Sequence, residues 1–429
     1  MSRTLFQNAD ILTMDHENRV LSSSNLIVKD GLIESVGLPP TGTFTRIIDA
    51  SHYLLMPGLV NAHTHTPMTL LRGLKDDCTL DEWLNDYIWP AENTLTREDY
   101  YVGALLGIAE ALATGTTSIT DMYRNSTELA RAAAITGIKA NICESITAGE
   151  DYKRNTHSGI AECIRVWEDF NNYDQGRIRC DTSIQSLWQT PKELWKDIRD
   201  LALEKDMGIH IHCAETKAEL EHCLSKYGST PVKLLQDAEV LKNHTVLVHG
   251  IYLSEEEWEI VKKNHACIVH DPCSNLKCCS GFANLKPCVD HGISIALGTD
   301  GVCSNNSGDM FDTIKLTGLV QKMLNDDPCF LPAEQLLKMA IQEGVHSQRR
   351  DNETGALIAG MDADLIAINK DFPSMQPMLS APANLAYSAS GAMVRMTMVR
   401  GKILYENGEF TTIDIERLQN SVKKIVSRF

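Results

Sequence analysis

The sequence predicts an α/β fold: a (β/α)8 TIM barrel with a small β-sandwich domain built from both termini. Three observations carry that expectation. Eight short apolar segments, at 59–63, 116–120, 138–144, 178–185, 208–213, 245–249, 266–270 and 293–299, alternate with stretches of helical spacing. Eight such strand–helix units at this length point to a closed barrel. Both ends of the chain read instead as short strands separated by turn residues, and one small domain assembled from the two ends accounts for them.

Near the N-terminus, Lys29-Asp30-Gly31 is a hairpin signal between Val28 and Leu32. In the alternating middle, the clearest helix starts at Thr96, an N-cap with Asp99 at the capping-box position. Tyr101 to Leu112 carry helical apolar spacing, and Gly115 offers a stop. Residues 364–369 (DLIAIN), a pair of strands around Arg400-Gly401 and the turn Glu406-Asn407-Gly408 restore the β pattern. The expected division is 1–56 plus 358–412 for the β-sandwich domain, 57–357 for the barrel and 413–429 for a terminal helix.

The chain has 429 residues, 40 Lys plus Arg against 57 Asp plus Glu, a formal net charge of −17, and 43% apolar residues. These are globular values, which exclude disordered and collagen-like classes. The acidic balance argues against nucleic acid and anionic membranes as partners, since both need a basic footprint. No apolar run approaches the ~20 residues of a membrane span, and the first residues lack the apolar core of a signal peptide. The 13 cysteines are scattered, mostly in apolar runs, and form no CxxC pair. A reduced, cytoplasmic protein with buried thiols is therefore expected.

His63-Thr64-His65 ends the first barrel strand. Alternate strand residues share a face, so both imidazoles enter the barrel at its C-terminal mouth. Two imidazoles at this spacing suit a first-row divalent cation such as zinc; two histidines flanking a turn by chance is the competing reading. His210-Ile211-His212-Cys213-Ala214-Glu215 ends the fifth strand, with His212 nearest the mouth and Glu215 on the loop beyond. His212 reads as a ligand, and Glu215 either as a carboxylate beside metal-bound water or as a solvated loop acid. His210 lies deeper on the same face and reads as a hydrogen-bonded lumen residue. His249 ends the sixth strand and Asp300 the eighth, where Asp300 also suits a helix N-cap. Each signal is weak alone, but together four strand ends aim chemistry at one mouth.

Read in order, PGLVNAHTHTPMTLLRG, HIHCAE, VHG, HDPCSNLK and GTDGVCSNNSGDMFD resemble the amidohydrolase superfamily, within it the metal-dependent nucleobase deaminase and chlorohydrolase branch. The most similar subgroup is the S-adenosylhomocysteine/5′-methylthioadenosine deaminases. The resemblance extends to the split β-domain, through GMDADLIAIN and MVRGKILYENG. It implies one divalent cation, zinc before iron or manganese, held by His63, His65, His212 and Asp300. It implies Glu215 as the proton shuttle, His249 as the group that holds the water or the developing charge, and Asp300 as the acceptor of the water proton. Two-metal relatives use a carboxylated Lys at the end of the fourth strand; RCDTSIQSLWQ has none, so a single metal is expected.

The resemblance also implies that Glu92 in IWPAEN contacts ribose hydroxyls and that Trp83 in LDEWL lines the pocket; packing and a surface acid are the alternative. Gln185 falls where the subgroup carries a His, and Glu144 where it tends to carry an Arg suited to an anionic tail. An acid at that place would repel such a tail. A neutral or cationic aminopurine, nucleoside, pterin or triazine is then as fitting as S-adenosylhomocysteine. His270, Ser274 and Asn275 at the seventh strand end are expected to shape the pocket. Ser304, Asn305 and Asn306 are expected to order the loop around Asp300. The expected activity is hydrolytic deamination of an aminated purine-type ring or nucleoside, with pterin, guanine or s-triazine deamination or chlorohydrolysis as alternatives at the same site. The family also implies a homo-oligomer. Patterns of other catalytic classes (HExxH, GxGxxG, GxSxG, the P-loop) are absent.

Overall fold

In the computed structural model, which describes residues 2–79 and 82–429, the chain opens with β1 (Arg3–Leu12), β2 (Val20–Lys29), β3 (Leu32–Val36), β4 (Arg46–Asp49) and β5 (Tyr53–Pro57). Eight strands follow: β6 (Leu59–Thr64), β7 (Thr116–Tyr123), β8 (Lys139–Glu144), β9 (Ile178–Ile184), β10 (Ile209–Cys213), β11 (Thr245–His249), β12 (Cys267–His270) and β13 (Ile295–Leu297). The chain ends with β14 (Leu365–Asn369), β15 (Val394–Val399), β16 (Lys402–Glu406), β17 (Glu409–Phe410) and a helix over Ile415–Val426.

β14 runs antiparallel to β5, with Ala367 opposite Leu55. The two chain ends therefore meet inside one mixed sheet of nine strands, ordered β17-β16-β15-β14-β5-β1-β2-β3 with β4 on β1. Three hairpins in it turn where the sequence signals them. Asp30 and Gly31 have φ of 49° and 92°, Arg400 and Gly401 46° and 73°, and Asn407 and Gly408 51° and 95°. Two consecutive positive φ angles make the tight turn whose twist matches antiparallel strands.

The other sheet is the barrel, with β6 to β13 parallel and in sequence order. β6, β7, β8, β10, β11 and β12 are buried at every residue, as strands covered on both faces must be. On β10, Ile209 and Ile211 join a core cluster with Leu194, Trp195 and Ile198 of the helix over Lys192–Lys205. The alternate residues His210 and His212 therefore turn the other way, into the barrel. The helix over Arg97–Ala113 has the capping box read from sequence, with Thr96 and Asp99 bonding reciprocally. Buried Lys139 at the start of β8 donates to Asp362 (2.6 Å) and to Asp364, which ties the barrel to the strand entering β14.

β13 is shorter than the expected 293–299: it spans Ile295–Leu297, with Gly298 N making a last bond to His270 O at 3.1 Å. The seam to β6 is closed instead by Thr299 N and Asp300 N, which donate to His63 O at 3.1 and 3.0 Å. The Asn61 side chain adds a bond to Thr299 Oγ1 (2.8 Å) and one from Thr299 N (3.1 Å). A Cβ at position 298 would fall on Asp271 Oδ1 and on His63, so the seam requires glycine. This closure sets Asp300 beside His63 and His65. Among the described residues no helix is long and apolar enough to cross a membrane.

Candidate metal centre

At the C-terminal mouth, one ligand atom from each of His63, His65, His212 and Asp300 lies within 4.8 Å of all the others, and all four residues are buried. His63 Nε2 and His65 Nε2 are 3.4 and 3.2 Å from Asp300 Oδ1. His212 Nε2 is 3.2 Å from His63 Nε2.

The outer atoms of these side chains are already committed. His65 Nδ1 donates to Met122 O, and His212 Nδ1 donates to Gln185 O at 2.7 Å. His63 Nδ1 lies 2.9 Å from His210 Nε2 and donates to it. With its proton on Nδ1, each ring would turn a bare Nε2 toward a cation. Against burial, the neighbouring Asp300 carboxylate raises the His65 imidazole above its ordinary value. Burial holds His212 at about 4 and His210 at about 3, so these imidazoles are neutral near pH 7. Asp300 Oδ2 accepts from Ser274 Oγ and from Ser304 Oγ (3.0 Å), which leaves Oδ1 for the centre. Two bare imidazole nitrogens facing each other at 3.2 Å, beside a carboxylate oxygen, is how ligands sit around a shared cation. The residues present thus fit a divalent metal with three nitrogen donors and one oxygen donor. Among the described residues this is the single such group.

Glu215 and His249 flank the cluster, with Glu215 Oε2 3.9 Å from His249 Nε2. Desolvation pushes the Glu215 carboxyl up to about 7. Burial lowers His249 to about 4. Its Nδ1 donates to Asn275 Oδ1 at 2.9 Å, so its Nε2 faces the site unprotonated. Asp271 Oδ2 lies 3.7 Å from the same Nδ1, and burial raises its carboxyl well above the usual range. His249 and Asp300 hold φ of 75° and 59°, and Ala214 holds 53°. Three strand ends thus turn through the left-handed region, a strain of order 1 kcal/mol each that aims the side chains inward.

A cavity of about 1120 Å³ opens over the centre. Its wall includes His65, His212, Glu215, His249 and Asp300, and three of the expected substrate contacts: Trp83, Glu92 and Gln185. Glu92 accepts from the Tyr123 hydroxyl, and desolvation raises its carboxyl to about 7. Gln185 anchors His212 through its backbone carbonyl, a task any residue type performs.

Three expected pocket residues are placed elsewhere. Glu144 turns to the start of the helix over Ser126–Thr136, where its Oε2 accepts from Ser126 N at 2.8 Å. A helix N-terminus leaves backbone N–H groups without partners, and β8 delivers the Glu144 carboxyl oxygen to one of them. His270 is fully buried and packs edge-on against Phe282, with ring centroids 5.0 Å apart. Asn275 is buried beneath His249 and holds that ring. Ser304, Asn305 and Asn306 do order the loop after Asp300: Asn305 Nδ2 donates to Thr299 O (2.9 Å), and Asn306 Oδ1 accepts from Lys277 Nζ. Sequence reasoning passed over Arg124, which lines the cavity directly after β7. Its signal is position alone, a cation one residue past a barrel strand.

The Amidohydrolase family model matches residues 54–404. A 5-methylthioadenosine/S-adenosylhomocysteine deaminase of Caldanaerobacter subterraneus is 37% identical over 421 residues, covering 98% of this chain and 97% of that protein. A 5′-deoxyadenosine deaminase of Methanobrevibacter smithii is 38% identical over 405 residues, covering 94% and 93%. Among solved structures, a zinc-bound adenosine deaminase from Xanthomonas campestris superposes with a TM-score of 0.94 at 28% identity, covering 100% of this chain and 98% of that one. The family match spans the barrel together with β14 and β15 of the terminal sheet, the relatives align over nearly the whole chain, and the chain belongs to the amidohydrolase family.

Proposed function

We propose that this protein is a metal-dependent hydrolytic deaminase that removes the exocyclic amine of a purine-type ring carried on a nucleoside, of the adenosine, 5′-methylthioadenosine or S-adenosylhomocysteine kind. The observation that carries it is the inward set of His63, His65, His212 and Asp300, three of which line the cavity wall together with Glu215. His63, His65, His212 and Asp300 would hold the cation. Three imidazoles and a carboxylate suit Zn²⁺, ahead of Fe²⁺ or Mn²⁺. When bound, such an ion lowers the pKa of a coordinated water toward ~7, which supplies a nucleophile at neutral pH.

The remaining work falls to the chain. Asp300, its carboxylate oriented by Ser274 and Ser304, accepts a proton from water as the water attacks the amine-bearing carbon. Glu215, held near pH 7 by desolvation, is protonated often enough to donate its proton to the ring nitrogen. The proton held by Asp300 then passes to the amine, which leaves as ammonia, and the hydroxyl proton returns to Glu215 as the carbonyl forms. His249 Nε2 faces the reacting carbon's oxygen and orders it, with Asn275 fixing the tautomer. Glu92 takes sugar hydroxyls and Trp83 forms the apolar wall.

Ammonia release tests the reading. Metal-loaded protein is offered adenosine, 5′-methylthioadenosine, 5′-deoxyadenosine, S-adenosylhomocysteine, guanine, pterins and amino- or chloro-triazines. Ammonia from an adenine nucleoside is the expected result. Chloride release without ammonia from any aminated ring would overturn it.

A further inference from the structure

We infer that Arg124 selects substrates that carry an anionic oxygen group, a carboxylate or a phosphate, at the sugar end of the nucleoside. The identity of the ring rests on the deaminase reading above; the anion rests on observations of its own. Arg124 lines the cavity beside Tyr123 and Glu92. Among the described residues its guanidinium has no hydrogen-bond or ion-pair partner. Lys277, another cation on the wall, is by contrast committed to Cys303 O (2.9 Å), Asp76 and Asn306.

Glu92 is not the missing partner. Its Oε1 is taken by the Tyr123 hydroxyl, and it forms no ion pair with Arg124 within 4.0 Å. Burial outweighs the pull of the Arg124 charge on that carboxyl and leaves it near half-protonated at neutral pH, so it neutralises that charge only in part. A half-buried charge without a partner is costly, and a planar guanidinium fork matches the two oxygens of a carboxylate or phosphate.

The surrounding wall agrees. Ser145 N donates to Tyr123 O at 3.1 Å, which sets the end of β8 against Arg124. Ser145 Oγ donates to Gln185 Oε1, leaving the Gln185 amide hydrogens for a second acceptor. Glu144, the acid that the sequence sets against an anionic tail, lies off the wall on Ser126 N. The repulsion is therefore absent and an unpaired cation stands in the cavity instead. At about 1120 Å³ the cavity also exceeds the ~300–1,000 Å³ that small-molecule sites usually offer, so a substituted nucleoside has room.

The test is calorimetric binding of product-type ligands to the zinc-loaded protein: inosine, inosine 5′-monophosphate and S-inosylhomocysteine. At least one anionic ligand is expected to bind about tenfold tighter than inosine, and the two arms tell phosphate from carboxylate. In Arg124→Gln that anionic-to-neutral ratio should fall by about tenfold, with Arg124→Lys retaining part of it. A native protein without anionic preference, or an Arg124→Gln ratio equal to the native one, would overturn the inference. If Arg124→Gln does not fold, Arg124→Lys is read by the same ratio. A merely structural Arg124, or one that only tunes Glu92, would weaken all three ligands alike and so also overturn it. Ammonia assays run alongside separate the two claims. Binding preference without turnover supports Arg124 and defeats the deaminase reading, and turnover without charge preference does the reverse.

Discussion

His63 Nδ1 lies 2.9 Å from His210 Nε2, so an inward-facing imidazole is held by a second one carried on β10. The rings are stacked, with centroids 5.1 Å apart and 15° between planes. His210 thereby fixes the tautomer and the angle of His63 without touching the centre. Replacing it by Leu should weaken metal binding by about 10- to 100-fold with the fold intact. Competition against a coloured chelator measures this, and an unchanged affinity would remove His210 from the support of the site.

Glu215→Gln should retain its metal and lose about 10²- to 10⁴-fold in kcat. The change keeps the size of the side chain and removes the proton that it passes. Metal content and steady-state rates on an adenine nucleoside, measured on one preparation, decide the matter. Substantial residual turnover would place the proton transfer on another group.

Asn275→Leu tests the other imidazole. Asn275 Oδ1 is the acceptor that keeps the proton of His249 on Nδ1. Without it the ring can present N–H to the substrate, and a buried donor loses its partner. A loss of about 10- to 100-fold in kcat with metal content unchanged is expected, from the ~1–3 kcal/mol of such a bond. A rise in KM alone would assign Asn275 to substrate binding instead.

Glu144 makes a prediction about stability. Burial raises its carboxyl from 4.5 to about 8, so the folded state binds this proton more tightly than the unfolded state does. The sign follows. The contribution is complete below about pH 4.5 and is lost as pH rises through about 8. Between those limits this one group costs up to about 1.4 kcal/mol per pH unit. Glu144→Gln can still accept from Ser126 N but cannot ionise. Its unfolding temperature should fall less than that of the native protein between pH 6 and pH 8. Parallel curves for the two proteins would contradict the buried, protonated acid.

What the sequence revealed and what it hid have separable causes. The pairing of His63 with His65, and of His210 with His212, is legible because strands alternate with a period of two. The three hairpin turns are legible because Asp30-Gly31, Arg400-Gly401 and Asn407-Gly408 need positive φ. The left-handed turns at His249 and Asp300 are not, since a histidine and an aspartate rather than a glycine hold the positive φ there, and Gly250 after His249 does not tell that the residue before it shares the turn. Glu144 and Arg124 were hidden for one reason. Both lie within a residue of a barrel strand end, where a single step along the chain decides between cavity and helix terminus. Only the register, with Tyr123 opposite Glu144, settles which of them faces the substrate side.

The ligand set makes a last prediction, on stoichiometry. Among the described residues, one group of inward donors exists. On β9, Asp181 is committed elsewhere, to Asn141 (2.7 Å), Gly208 N (2.7 Å) and Arg349 (2.7 Å). No lysine stands on β9 to bridge a second ion. Elemental analysis should therefore find about one divalent ion per chain. Stripping it should lower the unfolding temperature, because binding to the folded state alone stabilises by mass action, by about 4 kcal/mol at a thousandfold excess over Kd. Adding zinc back should restore both the transition and turnover. Two tightly held ions per chain, or an unfolding curve indifferent to chelation, would contradict a single cation between His63, His65, His212 and Asp300.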